Sequence, residues 1–450
     1  MSEDQILNEI EQNKEEYIQL LRDLLQAESY NPPGNEKNVA LVIDRYLKEA
    51  GIKSEIYPFG DNRANLIAYL NNNLEGKTLF YNGHMDVVPP GNEEEWKYPP
   101  LSATLKRKKY IFGRGATDMK GGLAAIIIAL KILKKLKLKL SGNLIVNAVA
   151  DEETGSQYGT KWCIHNKLKS IKPDFTIVAE PTRLKPLPHV ISIGERGRLL
   201  VKIITNGIST HASWPFMGKN AIYIMSEIIH NLDKIDEYIP KIKPPLSFEE
   251  LKNLVSVASP SPEIFERILN EQPLLKSVLE ALTQFTKSLT IIKGGIKDNV
   301  VPDTCEAIID FRLLPGHDID TIMNALKTLI QKDLGYNVKS EPVGKSEEVF
   351  VYLEIILYSE ASYWKDWDKS SILKDFYNIA KKVLKENLIY LLYPASADAS
   401  ILRNVGFCPE TIMFGPGNGA TAHATDENIE IQDFINTIKV YSLFAYEFLK

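Results

Sequence analysis

Between residues 63 and 180, short apolar runs with almost no polar interruption alternate with stretches of helical spacing. NLIAYL, TLFYNGH, NLIVNAVAD and DFTIVAE read as strands, with a helix from about Met119 to Leu138 between the second and third. A strand that is apolar along its whole length is buried on both faces, which requires helices above and below a mostly parallel sheet. The expected fold class is therefore α/β. The run LAAIIIALKIL (123–133) is too short for a membrane span and is followed by lysines. It reads as a buried helix of that core. Upstream, residues 4–27 and 38–51 read as helices on either side of an NPPG loop at 31–34, the second stopped by Gly51.

The polar residues fall at selected places on this frame. His84, the pair Glu152/Glu153 and Glu180 each stand at the carboxyl end of an expected strand, and His423 follows ETIMFGPG. Ligands of open α/β sheets collect at that edge. Taken singly, each motif has a bland explanation: a structural histidine, or a solvated D-E-E triplet. Together, in order and at matching strand ends, they converge on one site. Carboxylates with two imidazoles and no thiolate suit a pair of divalent metal ions with mixed nitrogen and oxygen ligands.

The local chemistry supports this. In H-M-D, alternation puts His84 and Asp86 on one side, so the Asp86 carboxylate is expected to accept the imidazole N–H and fix its tautomer. Asp118 lies on the glycine-rich GRGATDMKGG segment, where it could bridge two ions roughly 3.5–4 Å apart or cap the helix that begins at Met119. Of the adjacent Glu152 and Glu153, one can bind metal while the other stays free to carry protons, as amide hydrolysis requires.

After about Ile191 the character changes. VISIGERGRLLVKIITNG reads as a long strand pair, NAIYIMSEIIHNL as a helix, SLTIIKGGI and DTCEAIIDFRLLPG as strands, and DIDTIMNALKTLIQKDLG as a second helix. This describes a smaller α+β layer over 191–353, inserted into a catalytic domain formed by 1–190 and 354–450. Within it, residues of about 233–288 carry prolines and helical pieces without strand character, an added subdomain. Its length, roughly 55 residues, exceeds ordinary loop lengths, and covering the cleft, altering a dimer surface or decorating the lid are all open to it.

The bulk numbers exclude other classes. The chain has 450 residues, 44% hydrophobic and 25% charged, with a net charge of −5. That provides no basic face for nucleic acid. Cys163, Cys305 and Cys408 lie far apart in no metal-binding spacing, and the acidic, amphipathic amino terminus is the reverse of a secretory signal. A cytoplasmic location without membrane association is expected.

With these motifs the chain resembles the co-catalytic zinc aminoacylase and desuccinylase peptidase family, the acetylornithine deacetylase and succinyl-diaminopimelate desuccinylase type, from about Asn13 to the end. The resemblance implies a zinc-exopeptidase-like catalytic domain with a lid and dimerisation domain. It implies two divalent ions, zinc foremost and cobalt as an alternative. His84 and Glu180 are implied as ligands of one metal, Glu153 and His423 of the other, and Asp118 as the bridge, followed by a cis peptide to Met119. Asp86 is implied to orient His84, and Glu152 to be the general acid/base. In the lid, His211 of THASWPFMGKNA is similar to a histidine that enters the partner subunit's site, implying a homodimer. Asn299 and Arg312 resemble substrate-binding residues, Arg312 for a carboxylate, and Gly415 of F-G-P-G resembles a turn lining the substrate site. His165, His189, His230 and His317 match nothing in the pattern.

The expected function is removal of an acyl group from an N-acyl amino acid. Glu180 favours the deacylase branches, with a lean to the desuccinylase over acetylornithine deacetylase or aminoacylase. A metallo-carboxypeptidase or dipeptidase is the rival within the same chemistry. A non-catalytic, metal-binding association protein is the rival of another class, and the presence of Glu152 counts against it.

Overall fold

The computed structural model describes residues 2–71, 76–185, 187–259, 261–341 and 348–450. A nine-stranded sheet forms the larger layer. At its centre the strands Asn143–Val149, Thr78–His84, Phe175–Val178 and Thr411–Met413 run parallel to one another. Towards one edge, Arg63–Leu70 and Lys53–Phe59 add antiparallel. Near the other, Val190–Glu195 pairs parallel with Ile389–Tyr393 and antiparallel with Ser362–Tyr363. The expected α/β class is observed, as a mixed sheet with a parallel centre.

The central strands are buried along their full length except at Thr78, and helices cover them as that burial requires. The helix Lys120–Lys135, which carries the long apolar run, is buried over most of its circumference and packs against the carboxyl-terminal helix Ile431–Leu449. Among the described residues, no helix is long and apolar enough to cross a membrane. The amino-terminal segment expected as one helix is two, Ser2–Gln12 and Lys14–Gln26, interrupted at Asn13. Asn13 bonds the backbone oxygen of Glu9 through its side chain, a local bond that competes with helix continuation.

A second sheet of five strands holds Thr286–Gly294, Thr304–Leu313, Gly197–Asn206, Phe350–Ser359 and Val338–Lys339 in that order. Gly197–Asn206 alternates buried and half-buried residues, the mark of a sheet covered on one face only. The helices Ala221–His230 and Ile319–Thr328 share its core.

Two boundaries differ from expectation. Val190–Glu195 and Gly197–Asn206 are not a pair: the first belongs to the large sheet and the second to the small one. Phe350–Ser359 lies wholly in the small sheet, so the chain changes sheets near Arg196 and Glu360 rather than at 191 and 354. The added segment divides between the layers: Ile235 and Ile239 join the core of the small sheet, and its α-helices pack on the large one. Its helices Phe248–Ser256, Pro262–Glu271 and Pro273–Ala281 place Leu251, Val255, Phe265, Leu269 and Leu279 in the core of the large sheet. Phe248–Ser256 packs on Ile389–Tyr393, a strand that pairs with one other strand among the described residues, Val190–Glu195.

Candidate metal centre

The carboxyl ends of the parallel strands deliver the site. His84 is the last residue of Thr78–His84, Glu180 follows Phe175–Val178, and Glu152 and Glu153 follow Asn143–Val149. Asp118 lies just before the helix Lys120–Lys135, with a cis peptide to Met119. Its two carboxylate oxygens face different histidines: Oδ1 is 3.1 Å from His84 Nε2, and Oδ2 is 3.2 Å from His423 Nε2. Glu180 Oε1 approaches His84 Nε2 to 3.6 Å, and Glu153 Oε1 approaches His423 Nε2 to 3.2 Å. Two groups of candidate ligand atoms result, His84/Asp118/Glu180 and Asp118/Glu153/His423, each within 4.8 Å of one another and sharing Asp118.

The polypeptide holds these side chains in place by specific bonds. Asp151, immediately before the glutamate pair, has a left-handed backbone, φ 70°, an uncommon conformation for a residue with a side chain. It is fixed by Arg63 at 3.2 Å, by the Thr154 hydroxyl at 2.7 Å and by the Tyr158 N–H at 3.0 Å. Asp86 acts differently from expectation. His84 Nδ1 lies 2.8 Å from the backbone oxygen of Asp86, whereas its carboxylate is 3.6 Å away. That carboxylate instead accepts from the backbone N–H groups of Glu152 and Glu153 and from Asn31. Asp86 therefore orients both the imidazole and the glutamate turn, the first through its main chain.

The electrostatics of the cluster suit positive charge placed among its acids. Burial, reinforced by neighbouring carboxylates, pushes the carboxyls of Glu152, Glu153 and Glu180 above their ordinary range. Burial opposes charge on Asp118 too, but hydrogen bonds from the two imidazoles outweigh it and hold its carboxyl low. Hydrogen bonds to Asp118 and Glu153 raise His423 to about 10. Buried acids in such number are costly unless positive charge is placed among them. Oxygen-rich sites with one imidazole per position suit divalent ions. The donor set fits two of them.

A cavity of about 390 Å³ opens onto this cluster, lined by Asp118, Glu152, Glu153, Glu180 and His423, and by Arg312 from the small sheet. Glu152 faces the cavity but belongs to neither ligand group. Five expected residues are absent from its lining: the buried His84 and Asp86, and also His211, Asn299 and Gly415. His211 and Asn299 are exposed on the small layer, linked where the Ala212 N–H meets the Asn299 oxygen at 2.9 Å. Gly415 is buried behind Glu180, where a Cβ would lie 2.4 Å from the Ala179 oxygen and 2.6 Å from that of Glu180. Its place is a close backbone approach, not the wall of the cavity.

Sequence reasoning missed the supports. Glu427 accepts from the backbone N–H groups of Thr117 at 2.8 Å and Asp118 at 3.0 Å, and pairs with Arg114 at 2.7 Å. Arg114 donates in turn to the backbone oxygens of His423 and Ala424, both at 3.2 Å. Asp398 accepts from Asn82, Ser156 and Thr160 beside the glutamate turn. Arg114 stands inside GRGATDMKGG and Glu427 four residues after His423, yet nothing in the one-dimensional string separates a buried pair from solvated charge.

The sequence profile described as peptidase family M20/M25/M40 matches residues 80–447. The chain belongs to this family. A Staphylococcus aureus protein described as a "probable succinyl-diaminopimelate desuccinylase" is 30% identical over 445 residues, covering 97% of this chain and 98% of that protein. The succinyl-diaminopimelate desuccinylase of Rickettsia felis is 28% identical, covering 96% and 100%. Among solved structures, the M20 family metallo-carboxypeptidase Sso-CP2 of Sulfolobus solfataricus superposes with a TM-score of 0.76 at 23% identity, covering 96% and 98%. The dipeptidase Dug1p of Saccharomyces cerevisiae gives 0.76 at 16% identity, covering 99% of both chains. As a member of the M20 family, this chain is a metal-dependent hydrolase of amide bonds, and the association-protein alternative falls away.

Proposed function

We propose that the chain removes an acyl group from an N-acyl amino acid, with N-succinyl substrates foremost. The observation that carries this reading is the division of labour at the cavity: Asp118 faces both imidazoles, while Glu152 stands on the wall outside either ligand group. His84, Asp118 and Glu180 would hold one divalent ion, zinc or cobalt, and Asp118, Glu153 and His423 the second. Two such ions acidify a ligand water towards a pKa of about 7 and polarise an amide carbonyl.

The remaining chemistry is assigned to the chain. Glu152 accepts a proton from the attacking water at its carboxylate. Water oxygen bonds to the carbonyl carbon, the carbon–nitrogen bond breaks, and Glu152 returns the proton to the leaving amine. Burial among other acids raises the Glu152 carboxyl above its ordinary range, the direction in which buried catalytic acids are tuned. Arg312 donates to a substrate carboxylate. The description of the staphylococcal and rickettsial relatives as desuccinylases supports the acyl choice.

We also infer a homodimer through the small layer. Its edge strand Thr286–Gly294 is largely exposed, and Phe216 and Ile296 are 83% and 90% exposed nearby. Exposed apolar surface beside an open strand edge suits a second copy of the chain, and His211 lies next to it. The buried, unpaired cysteines agree with a reducing, cytoplasmic setting.

A panel of N-succinyl, N-acetyl and dipeptide substrates, assayed with added zinc or cobalt, tests the reading. N-succinyl amides are expected to have the highest kcat/KM. Preference for dipeptides would overturn the substrate and leave the metal chemistry standing.

A further inference from the structure

The lid wall of the cavity carries a charge pattern that the cutting chemistry does not use. Arg198 and Arg312 are direct partners on adjacent antiparallel strands. Like charges placed opposite one another destabilise a strand pair. Asp310, two residues before Arg312 and so on the same face, relieves this by accepting from both. Arg312 Nε donates to Oδ1 at 2.8 Å, and Arg198 Nε donates to Oδ2 at 3.0 Å. Their Nη2 groups reach Oδ2 at 3.3 Å and 2.9 Å. One carboxylate thus aims two guanidinium groups and offsets one of them.

Neither Nη1 group has a protein partner among the described residues. Behind them Arg196 is buried, donating to the oxygens of Gln284 and Arg312 and to the Thr286 hydroxyl. From the large-sheet side, Lys161 lines the same cavity, and its ammonium forms no ion pair among the described residues. Outside the metal cluster and Glu152, the acid on the lining is Glu360, which is exposed. Counting Asp310 and Glu360 against Lys161, Arg198 and Arg312 leaves this end of the cavity positive.

We propose that Arg198 and Lys161 together bind a second substrate carboxylate, distinct from the one taken by Arg312, so that the preferred amides carry two carboxylates. This rests on the amide-hydrolase reading of the cavity, but not on the choice between acyl amino acids and dipeptides. The carboxylate has two chemical sources, the far end of the acyl chain or the side chain of the amino acid.

Paired substrates test it. The acyl arm compares N-succinyl with N-butanoyl derivatives of one amino acid, and the amine arm compares N-acetylglutamate with N-acetylnorvaline. Wild type is expected to favour the charged member in one arm, which names the source. Arg198→Gln and Lys161→Met should each lower that charged-to-neutral ratio of kcat/KM roughly 10- to 100-fold, chiefly through KM, as loss of a hydrogen bond to a charged group does. A wild-type ratio near one in both arms would overturn the proposal. So would an undiminished ratio in both folded variants. If Arg198→Gln fails to fold, Lys161→Met, which leaves Asp310 its arginine, decides alone. Should the enzyme cleave only dipeptides, the acyl reading fails, and the same ratio read on glutamate- and norvaline-containing dipeptides still decides the binding wall.

Discussion

Arg114 and Glu427 form a buried ion pair 2.7 Å apart, and each partner also holds the backbone of one half of the metal site. Glu427 holds Thr117 and Asp118, and Arg114 holds His423 and Ala424. The Asp118 carboxylate and the half-exposed His423 imidazole that it faces are thereby fixed relative to each other.

Glu427→Gln keeps the shape but strips the negative charge from this strut and leaves the Arg114 guanidinium buried without its counter-ion. Metal affinity should fall about 10- to 100-fold, the usual cost of losing an outer support, and stability by about 3 kcal/mol. Competition with a graded chelator and denaturant unfolding measure the two effects. Unchanged metal affinity would reduce the pair to a stabilising contact.

Glu152→Ala removes the proposed proton carrier and none of the candidate ligand atoms. Turnover should drop at least about a hundredfold, while metal analysis still finds two ions per chain. Activity near wild type would assign the proton transfers to another group.

His189, unmatched in the sequence pattern, is buried between Glu386 and Asp433, with Nε2 2.6 Å from Asp433. Burial disfavours its charge, but the two carboxylates outweigh this and raise it above its ordinary value. Glu386 and Asp433 are correspondingly held low. The stability from protonated His189 is therefore complete below its unfolded pKa of about 6.5 and fades as pH rises through the folded value. That from the carboxylates is present above about pH 4.5 and is lost as pH falls through their folded values. His189→Asn should cost about 3 kcal/mol at pH 6, with a smaller deficit at pH 9. Equilibrium unfolding at both values is the check, and a constant deficit would mean that packing alone is involved.

Phe216→Glu combined with Ile296→Glu places charge on the exposed apolar face of the small layer. The expected result is a monomer by light scattering at concentrations where wild type is dimeric, with activity reduced at least about tenfold through displacement of His211 from its partner. A wild type that is monomeric throughout would remove the dimer from the account.

The α/β class and the residues at strand ends were legible because fully apolar runs fix strand identity, and parallel strands send their carboxyl ends to one edge. What escaped the sequence depends on distances shorter than a residue or on partners far along the chain. The Asp86 main chain and side chain compete for one imidazole at 2.8 and 3.6 Å, a difference no motif encodes. The run VISIGERGRLLV continues unbroken through Arg196 although its two halves join different sheets. Gly415 is a glycine for the sake of Ala179 and Glu180, more than two hundred residues earlier.

The helices between Phe248 and Ala281 leave the smaller layer after Ala221–His230 and return to it at Thr286–Gly294, yet bury their apolar side chains against the larger one. The lid is consequently not a module that can be excised. A fragment spanning 197–359 would carry Leu251, Val255, Phe265 and Leu269 stripped of the surface they cover, and would invite aggregation. Any transplant of this lid onto another catalytic sheet must bring, or rebuild, the ground on which its own loop is anchored.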